Sequence, residues 1–324
     1  MKVKKYILPL CIFLSILFPA SGQQRICIAF YNVENLHDTI PSRFYDDREF
    51  TAGGKYKWGT DRYSRKLENI SRVIGDMGAD IIALAEVENE TVVRDLVLQL
   101  PDDYNYIHCT SGDRRGMDLA LLYKGDKFWP EKVSLLPSPA TREFLLIRGE
   151  ILNEGVNILI CHLPSKANGK AYRRAAIHAL AAAADSLLKN DPSRKLILMG
   201  DFNTESSERI FRDAFGRKAG AGFFDRSMLL EAVQASGNST FGSYAYGNRR
   251  MLIDHIMLSV GFVYGEGLRF QSGGIFVREY MLTSPSMGAA HSTRSGFPFR
   301  TITAGAYTGG FSDHLPVFVV LAKP

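Results

Sequence analysis

The sequence predicts a layered protein of the α/β or α+β class, folded as one domain over residues 23–324. Three observations carry that prediction. Short apolar blocks rich in Ile, Val and Leu alternate with helical stretches. Nearly every apolar block ends abruptly in polar residues. No proline-rich linker, low-complexity tract or break in composition divides the chain.

In chain order, the strand-like runs are ICIAFYNVEN (26–35), DIIALAEVEN (80–89), MDLALLYKG (117–125), VNILICHLPSK (156–166), KLILMGDFN (195–203), MLIDHIMLS (251–259) and DHLPVFVVL (313–321). Their density of branched residues suits strands covered on one or both faces. Between them, residues 62–77 set Leu67, Ile70, Val73, Ile74 and Met77 on one helical stripe, and 171–188 is an Ala- and Leu-rich helix with basic residues at its start. Residues 262–312, rich in Gly, Ser, Thr and Arg, read as long loops near a site.

The first residues fall outside that fold. Lys2, Lys4 and Lys5 precede an apolar run from Tyr6 to Phe18 and the small residues Ala20, Ser21 and Gly22, the pattern of a cleaved signal peptide over residues 1–22. The expected location is therefore secreted or periplasmic, with no stable membrane span after cleavage. Removing that segment takes away three lysines and no acid, which lowers the formal charge from +5 to +2. A protein that held a polyanion by bulk charge would carry a larger basic excess, so any such substrate must meet a local patch. Cys27, Cys109 and Cys161 remain in the mature chain, and Cys27 and Cys161 lie in apolar strand-like runs as small buried hydrophobes.

The polar ends of the strands carry the chemistry. Asn32 and Glu34 follow IAFY, Glu86 and Glu88 follow IIALA, and His162 follows LIC. Asp201 and Asn203 follow LILMG, Asp254 and His255 follow MLI, and Asp313 and His314 precede LPVFVV. Strand ends are rigidly placed backbone, which a catalytic constellation needs. Carboxylates, amides and two histidines supply hard oxygen ligands for Mg²⁺, with Mn²⁺ as the alternative, and groups that move protons near neutrality. Zinc is disfavoured, because neither H-E-x-x-H nor C-x-x-C occurs. A G-x-S-x-G serine hydrolase and a Walker-type phosphate loop are absent too.

The stretches YNVENL (31–36), AEVEN (85–89), RGMDLALLY (115–123), CHLPSK (161–166), GDFN (200–203), LIDHIMLS (252–259) and SDHLPV (312–317) resemble, in order, the motifs of the endonuclease/exonuclease/phosphatase superfamily. The resemblance spans nearly all of the mature chain. It implies an α+β four-layer α/β/β/α sandwich of two packed mixed sheets, with a divalent-metal site at one end. Carried over, Glu86 is the main metal ligand with Asn32 and Asp313 beside it. Asp201 activates the attacking water, and Asn203 holds the phosphate or that water. His162 contacts the phosphoryl oxygens and Asp254 pairs with His314.

Neighbouring residues have plainer readings. Glu34 and Glu88 are expected to be structural partners, and His255 alternates to the opposite strand face from Asp254. Asp118 is expected either to orient His162 or to serve structure alone. Lys166, four residues beyond His162, is the best-placed cation for a phosphate, while Arg114, Arg115, Arg174 and Arg300 lie in segments that could border the cleft. Tyr56 and Trp58 are expected to pack rather than stack on a base. Nucleic acid is the first expected substrate, with a phosphorylated small molecule or lipid head group as the alternative.

Overall fold

The computed structural model describes residues 23–323 apart from 140–141, 218–222, 225–228, 237–241 and 285–294, so the expected signal peptide lies outside the described residues. The chain opens with strand β1 (Gln24–Leu36), helix α1 (Thr60–Met77), β2 (Ile81–Val87), α2 (Glu90–Val97), β3 (Asn105–Cys109) and β4 (Asp118–Tyr123). It continues through β5 (Phe128–Leu136), β6 (Phe144–Ile151), β7 (Glu154–His162), α3 (Lys170–Asn190), β8 (Lys195–Asp201) and α4 (Arg209–Phe215). Short strands β9 (Phe223–Phe224) and β10 (Leu229–Glu231) precede a hairpin of β11 (Tyr244–Tyr246) and β12 (Arg249–Met251). Then come β13 (Asp254–Ser259), β14 (Arg269–Ile275), a small hairpin of β15 (Ile302–Thr303) and β16 (Ala306–Tyr307), and β17 (Val317–Lys323).

Two mixed sheets result. One has six strands in the order β14-β17-β1-β2-β4-β3, and the other has seven in the order β5-β6-β7-β8-β13-β10-β9. The pairs β1–β2 and β7–β8 are parallel, and each is joined through a helix, α1 or α3, as parallel neighbours require.

Alternation along the strands separates three apolar layers. Ile26, Ile28 and Phe30 of β1 meet Val156, Ile158 and Ile160 of β7 and Ile197 and Met199 of β8 in the core between the sheets. The intervening residues Ala29 and Tyr31 face the α1 and α2 side with Leu67, Ile70, Val73 and Ile74. Leu196 and Leu198 face α3 and α4 with Ile177, Leu180 and Phe211. This period-2 partition gives the four layers helix, sheet, sheet, helix. Deleting one of the central side chains, as in Ile158→Ala, removes about 2–5 kcal/mol.

Helix α1 carries the expected stripe and ends at Gly78, whose φ of 61° takes a left-handed cap with its N–H on Ile74 O. Two polar residues interrupt its buried face, and both hold a loop. Lys66 Nζ donates to Thr301 Oγ1 at 2.5 Å and Phe311 O at 2.6 Å, and Asn69 Nδ2 donates to Gly309 O and Gly310 O. Residues 299–311 are thereby fixed before Asp313 and His314. The region read as loops also contains β14, which pairs along β17 at the sheet edge. Its Ser272-Gly273-Gly274 run has weak strand propensity, and ladder pairing with β17 overrides it.

Trp58 is fully buried and donates from Nε1 to His37 O at 2.9 Å, so it packs as expected. Cys27, Cys109 and Cys161 are free thiols. No helix among the described residues is long and apolar enough to cross a membrane.

Gly200 is the tightest point between β7 and β8. A Cβ there would fall directly against Cys161 O and lie 2.6 Å from Cys161 Sγ. Gly200→Ala is expected to cost about 1–3 kcal/mol through overpacking and to displace the adjoining Asp201. Urea denaturation alongside an activity assay checks both effects.

Candidate active site

The sheet registers bring the strand ends together. His162 and Asp254 are the Cα partners of Asp201 on either side, so three candidate side chains stand in one row across β7, β8 and β13. By alternation these side chains lie on the face that packs against the other sheet, beyond Ile160, Met199 and Ile256. His255 points to the opposite layer, where Nε2 lies 2.9 Å from Thr204 O and Nδ1 lies 3.4 Å from Glu231 Oε1.

From the facing sheet, β1 supplies Asn32 and β2 supplies Glu86. Here simple alternation fails. The ladders on both sides of β2 shift register around residue 86, and Glu86 itself has a φ of 66°. A bulged residue in the left-handed region turns its side chain out of the ordinary pleat, at a cost of about 1–3 kcal/mol. Glu34, Asn35 and Asn203 also have positive φ, at 50°, 53° and 49°. The strand ends are strained where the polar groups converge.

Asp201 is the hub. Its Oδ2 accepts Nδ2 of Asn32 and Nδ2 of Asn203, each at 3.1 Å, and Oδ1 accepts the Asn203 backbone N–H at 2.7 Å. The Nε2 atoms of His162 and His314 lie 3.6 and 3.8 Å from Oδ2. Asn32 donates a second N–H to Glu86 Oε1 at 3.1 Å, while its own Oδ1 accepts Glu34 N–H at 3.0 Å. One amide therefore spaces two carboxylates, and its oxygen keeps a second lone pair. Glu86 Oε2 accepts Asn35 N–H at 3.0 Å, and its Oε1 lies 3.7 Å from His162 Nε2.

Behind the hub, His314 Nδ1 lies 2.7 Å from Asp254 Oδ2, and the ring of Tyr244 sits against the imidazole at 4.8 Å. Ser312 Oγ donates to Asn32 O at 2.7 Å and accepts His314 N–H at 3.1 Å, so this turn clamps the C-terminal strand to β1.

Burial and neighbouring charge shift these groups in different directions. Burial, then the Asp254 carboxylate, lifts Asp201 to about 7. Burial opposes a charge on His314, but the carboxylates of Asp254, Asp313 and Asp201 outweigh it and hold the pKa well above the usual histidine range. Burial pushes His162 well below that range, and the charges of Arg142, His314 and Arg115 push the same way. Near neutral pH the site thus holds one neutral and one protonated imidazole around a carboxylate poised to exchange a proton.

A cleft of about 300 Å³ adjoins the hub, lined by Glu34, Asp46, Glu49, Glu86 and Asp313 with Arg115 and Arg300 among them. Arg300 Nη2 donates to Asp313 Oδ2 at 2.6 Å. This oxygen-rich donor set suits a hard divalent cation. Asp201, Asp254 and His314 also place ligand atoms within 4.8 Å of one another. Within that cluster His314 Nδ1 is engaged with Asp254, which leaves Nε2 as the imidazole's ligand atom.

Other expectations divide. Glu34 is buried and accepts Thr301 N–H at 2.6 Å, and Glu88 accepts Asp38 N–H at 2.7 Å, both structural contacts. Asp118 does not orient His162. It accepts Ser111 N–H and Oγ–H and lies 3.1 Å from His108 Nε2, because the ladder places it beside β3. Lys166 pairs with Glu208 at 3.0 Å, and its exposed side chain borders a second cavity beside Asn203. Arg174 faces Asp213 at 3.7 Å. Tyr244, Lys66 and Arg142 escaped the sequence reading, since none lies at the polar end of an apolar run.

A sequence model described as the Endonuclease/Exonuclease/phosphatase family matches residues 27–323. The chain belongs to the endonuclease/exonuclease/phosphatase family. Family members are phosphoesterases, and solved structures share the fold across nearly the whole chain. Humanized D. rerio TDP2 with 14 mutations aligns with a TM-score of 0.59 at 13% identity, covering 92% of this chain and 98% of that one. The mannosyl-6-phosphatase of Bacteroides thetaiotaomicron VPI-5482 aligns with a TM-score of 0.59 at 16% identity, covering 91% and 99%. The human Nocturnin catalytic domain with bound sulfate gives 0.58 at 15% identity, covering 93% and 98%. No curated protein sequence matches.

The Asp254 contact predicts that His314 keeps its proton well past the pH at which an ordinary histidine loses it. Asp254→Asn should return that titration toward the ordinary value. Histidine side-chain NMR across a pH series checks both.

Proposed function

We propose that this chain is an exported, divalent-metal-dependent phosphodiester hydrolase acting on nucleic acid. The observation that carries the reading is the Asp201 hub, with an imidazole on either side and a carboxylate-rich cleft adjoining it. The expected signal sequence over residues 1–22 is the support for export.

Glu86 and Asp313 would hold the ion, with Asn32 beside them through the Oδ1 lone pair that Glu34 N–H leaves open. When bound, such an ion polarises the phosphoryl oxygens and offsets negative charge as it builds. Asp201 accepts the proton of an attacking water, which its position near pH 7 suits. Asn203 directs that water through its Oδ1 acceptor, since its backbone N–H donates to Asp201 and its Nδ2 donates to Asp201 and Leu163 O. Neutral His162 donates Nε2–H toward the reacting group. Protonated His314, held in one orientation by Asp254, presents Nε2–H to the developing negative charge. No side chain need form a covalent intermediate.

A phosphatase or phosphodiesterase of small phosphorylated compounds or lipid head groups is the second reading. The formal charge of only +2 without the N-terminal segment favours it, because little bulk charge is left to attract a polymer. Plasmid DNA and RNA, inositol phosphates and sphingomyelin, each assayed with Mg²⁺ or Mn²⁺, separate the two.

Hydrolysis of DNA or RNA is expected to stop with EDTA and return on adding Mg²⁺. Asp201→Asn and His314→Ala are each expected to lower kcat by about 10²–10⁴ without unfolding the protein. Activity should rise as Asp201 loses its proton and fall again as His314 loses its own at high pH. Asp254→Asn should move that alkaline limb to lower pH. Inactivity on every phosphoester with every divalent metal, or an active His314→Ala, sinks the proposal.

A further inference from the structure

A third cavity adjoins His162 but contains none of the carboxylates of the hub. It has a volume of about 480 Å³, and its charged lining is Arg114, Arg115 and Arg142 against the single carboxylate of Asp113. Arg115 also lines the carboxylate-rich cleft, so the two spaces meet at Arg115 beside the hub.

This cavity is built rather than incidental. Asp113 is buried, and its carboxylate joins two segments distant in sequence. Oδ2 accepts Arg142 Nε–H at 2.8 Å and Oδ1 accepts the Arg115 backbone N–H at 2.8 Å. Gly112 N–H donates to Glu143 Oε2 at 2.9 Å, which ties the same two segments a second time. The Arg142 side chain is only 12% exposed. A guanidinium carries five N–H donors, and the Asp113 contact takes one of them. A purely structural ion pair needs one arginine for one carboxylate, and two further guanidinium groups beside it raise its electrostatic cost. An anionic ligand reverses that balance.

We propose that the Arg115–Arg142 cavity is a subsite for a second phosphate group on the substrate, covalently joined to the scissile phosphoester, and that Asp113 is the positioning residue that builds it. The proposal rests on the phosphoesterase reading of the hub. It narrows the substrate class to compounds carrying at least two phosphates, whether an oligonucleotide or a bisphosphorylated small molecule. Selectivity then comes from a few local guanidinium groups, of which Arg142 is held by Asp113, and this agrees with the formal charge of only +2 left without residues 1–22.

Two substrate pairs test it. One is the p-nitrophenyl ester of thymidine 5′-phosphate with and without a 3′-phosphate, and the other is a myo-inositol bisphosphate against a monophosphate. The native enzyme is expected to favour the doubly phosphorylated member of at least one pair about tenfold or more in kcat/KM. Arg142→Gln and Asp113→Asn are expected to reduce that ratio to about twofold, while Lys132→Gln, a distant exposed change, keeps it. Equal use of both members of both pairs by the native enzyme, or an undiminished ratio in Arg142→Gln, overturns the proposal. If no ester is cleaved with any metal, the phosphoesterase reading fails by itself. Calorimetric binding of thymidine 3′,5′-bisphosphate against thymidine 5′-phosphate then decides the subsite: tighter binding of the bisphosphate that Arg142→Gln removes supports it, and equal binding overturns it.

Discussion

The arrangement depends on keeping one carboxylate out of water. Asp201 sits at the end of β8, buried between the sheets, where an isolated negative charge is costly. Asn32, Asn203 and the Asn203 backbone share its two oxygens, and two imidazoles stand just beyond hydrogen-bond range. The result is neither a quenched ion pair nor a neutral acid, but a group near its own midpoint at neutral pH. Such a group can take a proton and give it back.

The fold supplies the rigidity. Parallel pairing of β1 with β2 and of β7 with β8 ends those four strands at the same edge of the sandwich, while antiparallel β13 and β17 begin there. Side chains from both sheets meet without any long loop having to fold over them. The remaining loop, 299–311, is held by Lys66 and Asn69 from α1. Its Arg300 contacts Asp313, so helix packing on the outer layer reaches the carboxylate cleft through two hydrogen-bonded steps.

Much of this was legible in the sequence, for a physical reason. A buried strand announces itself by its branched apolar run, and a polar residue at its end is conspicuous. Asn32, Glu86, His162, Asp201, Asp254 and His314 were all visible that way. The helices 62–77 and 171–188 showed their apolar stripes, although the structure extends each by one or two residues at either end or both. Strands β3, β5 and β6 were not seen, because their alternation is weak or mixed with charge, as in FWPEKVSLL. Strand β14 was hidden by its glycines. The left-handed turn at Glu86 is set by register shifts in two ladders, which no local pattern encodes. The sequence leaves Asp118 between orienting His162 and a structural role, because strand alternation does not say which neighbouring strand lies beside it; its contacts to Ser111 and His108 are structural. Arg142 and Asp113 are separated by 29 residues and meet only through the fold.

The site is consequently polarised. Carboxylates gather around Glu86 and Asp313, guanidinium groups gather around Arg142, and His162, Asp201 and His314, the residues proposed to exchange protons, stand beside them. A cation lodged among Asp201, Asp254 and His314 would abolish that separation. Anomalous diffraction from crystals grown with Mn²⁺ locates the ion directly. The expected result is a peak in the cleft between Glu86 and Asp313, and a peak among Asp201, Asp254 and His314 would contradict it.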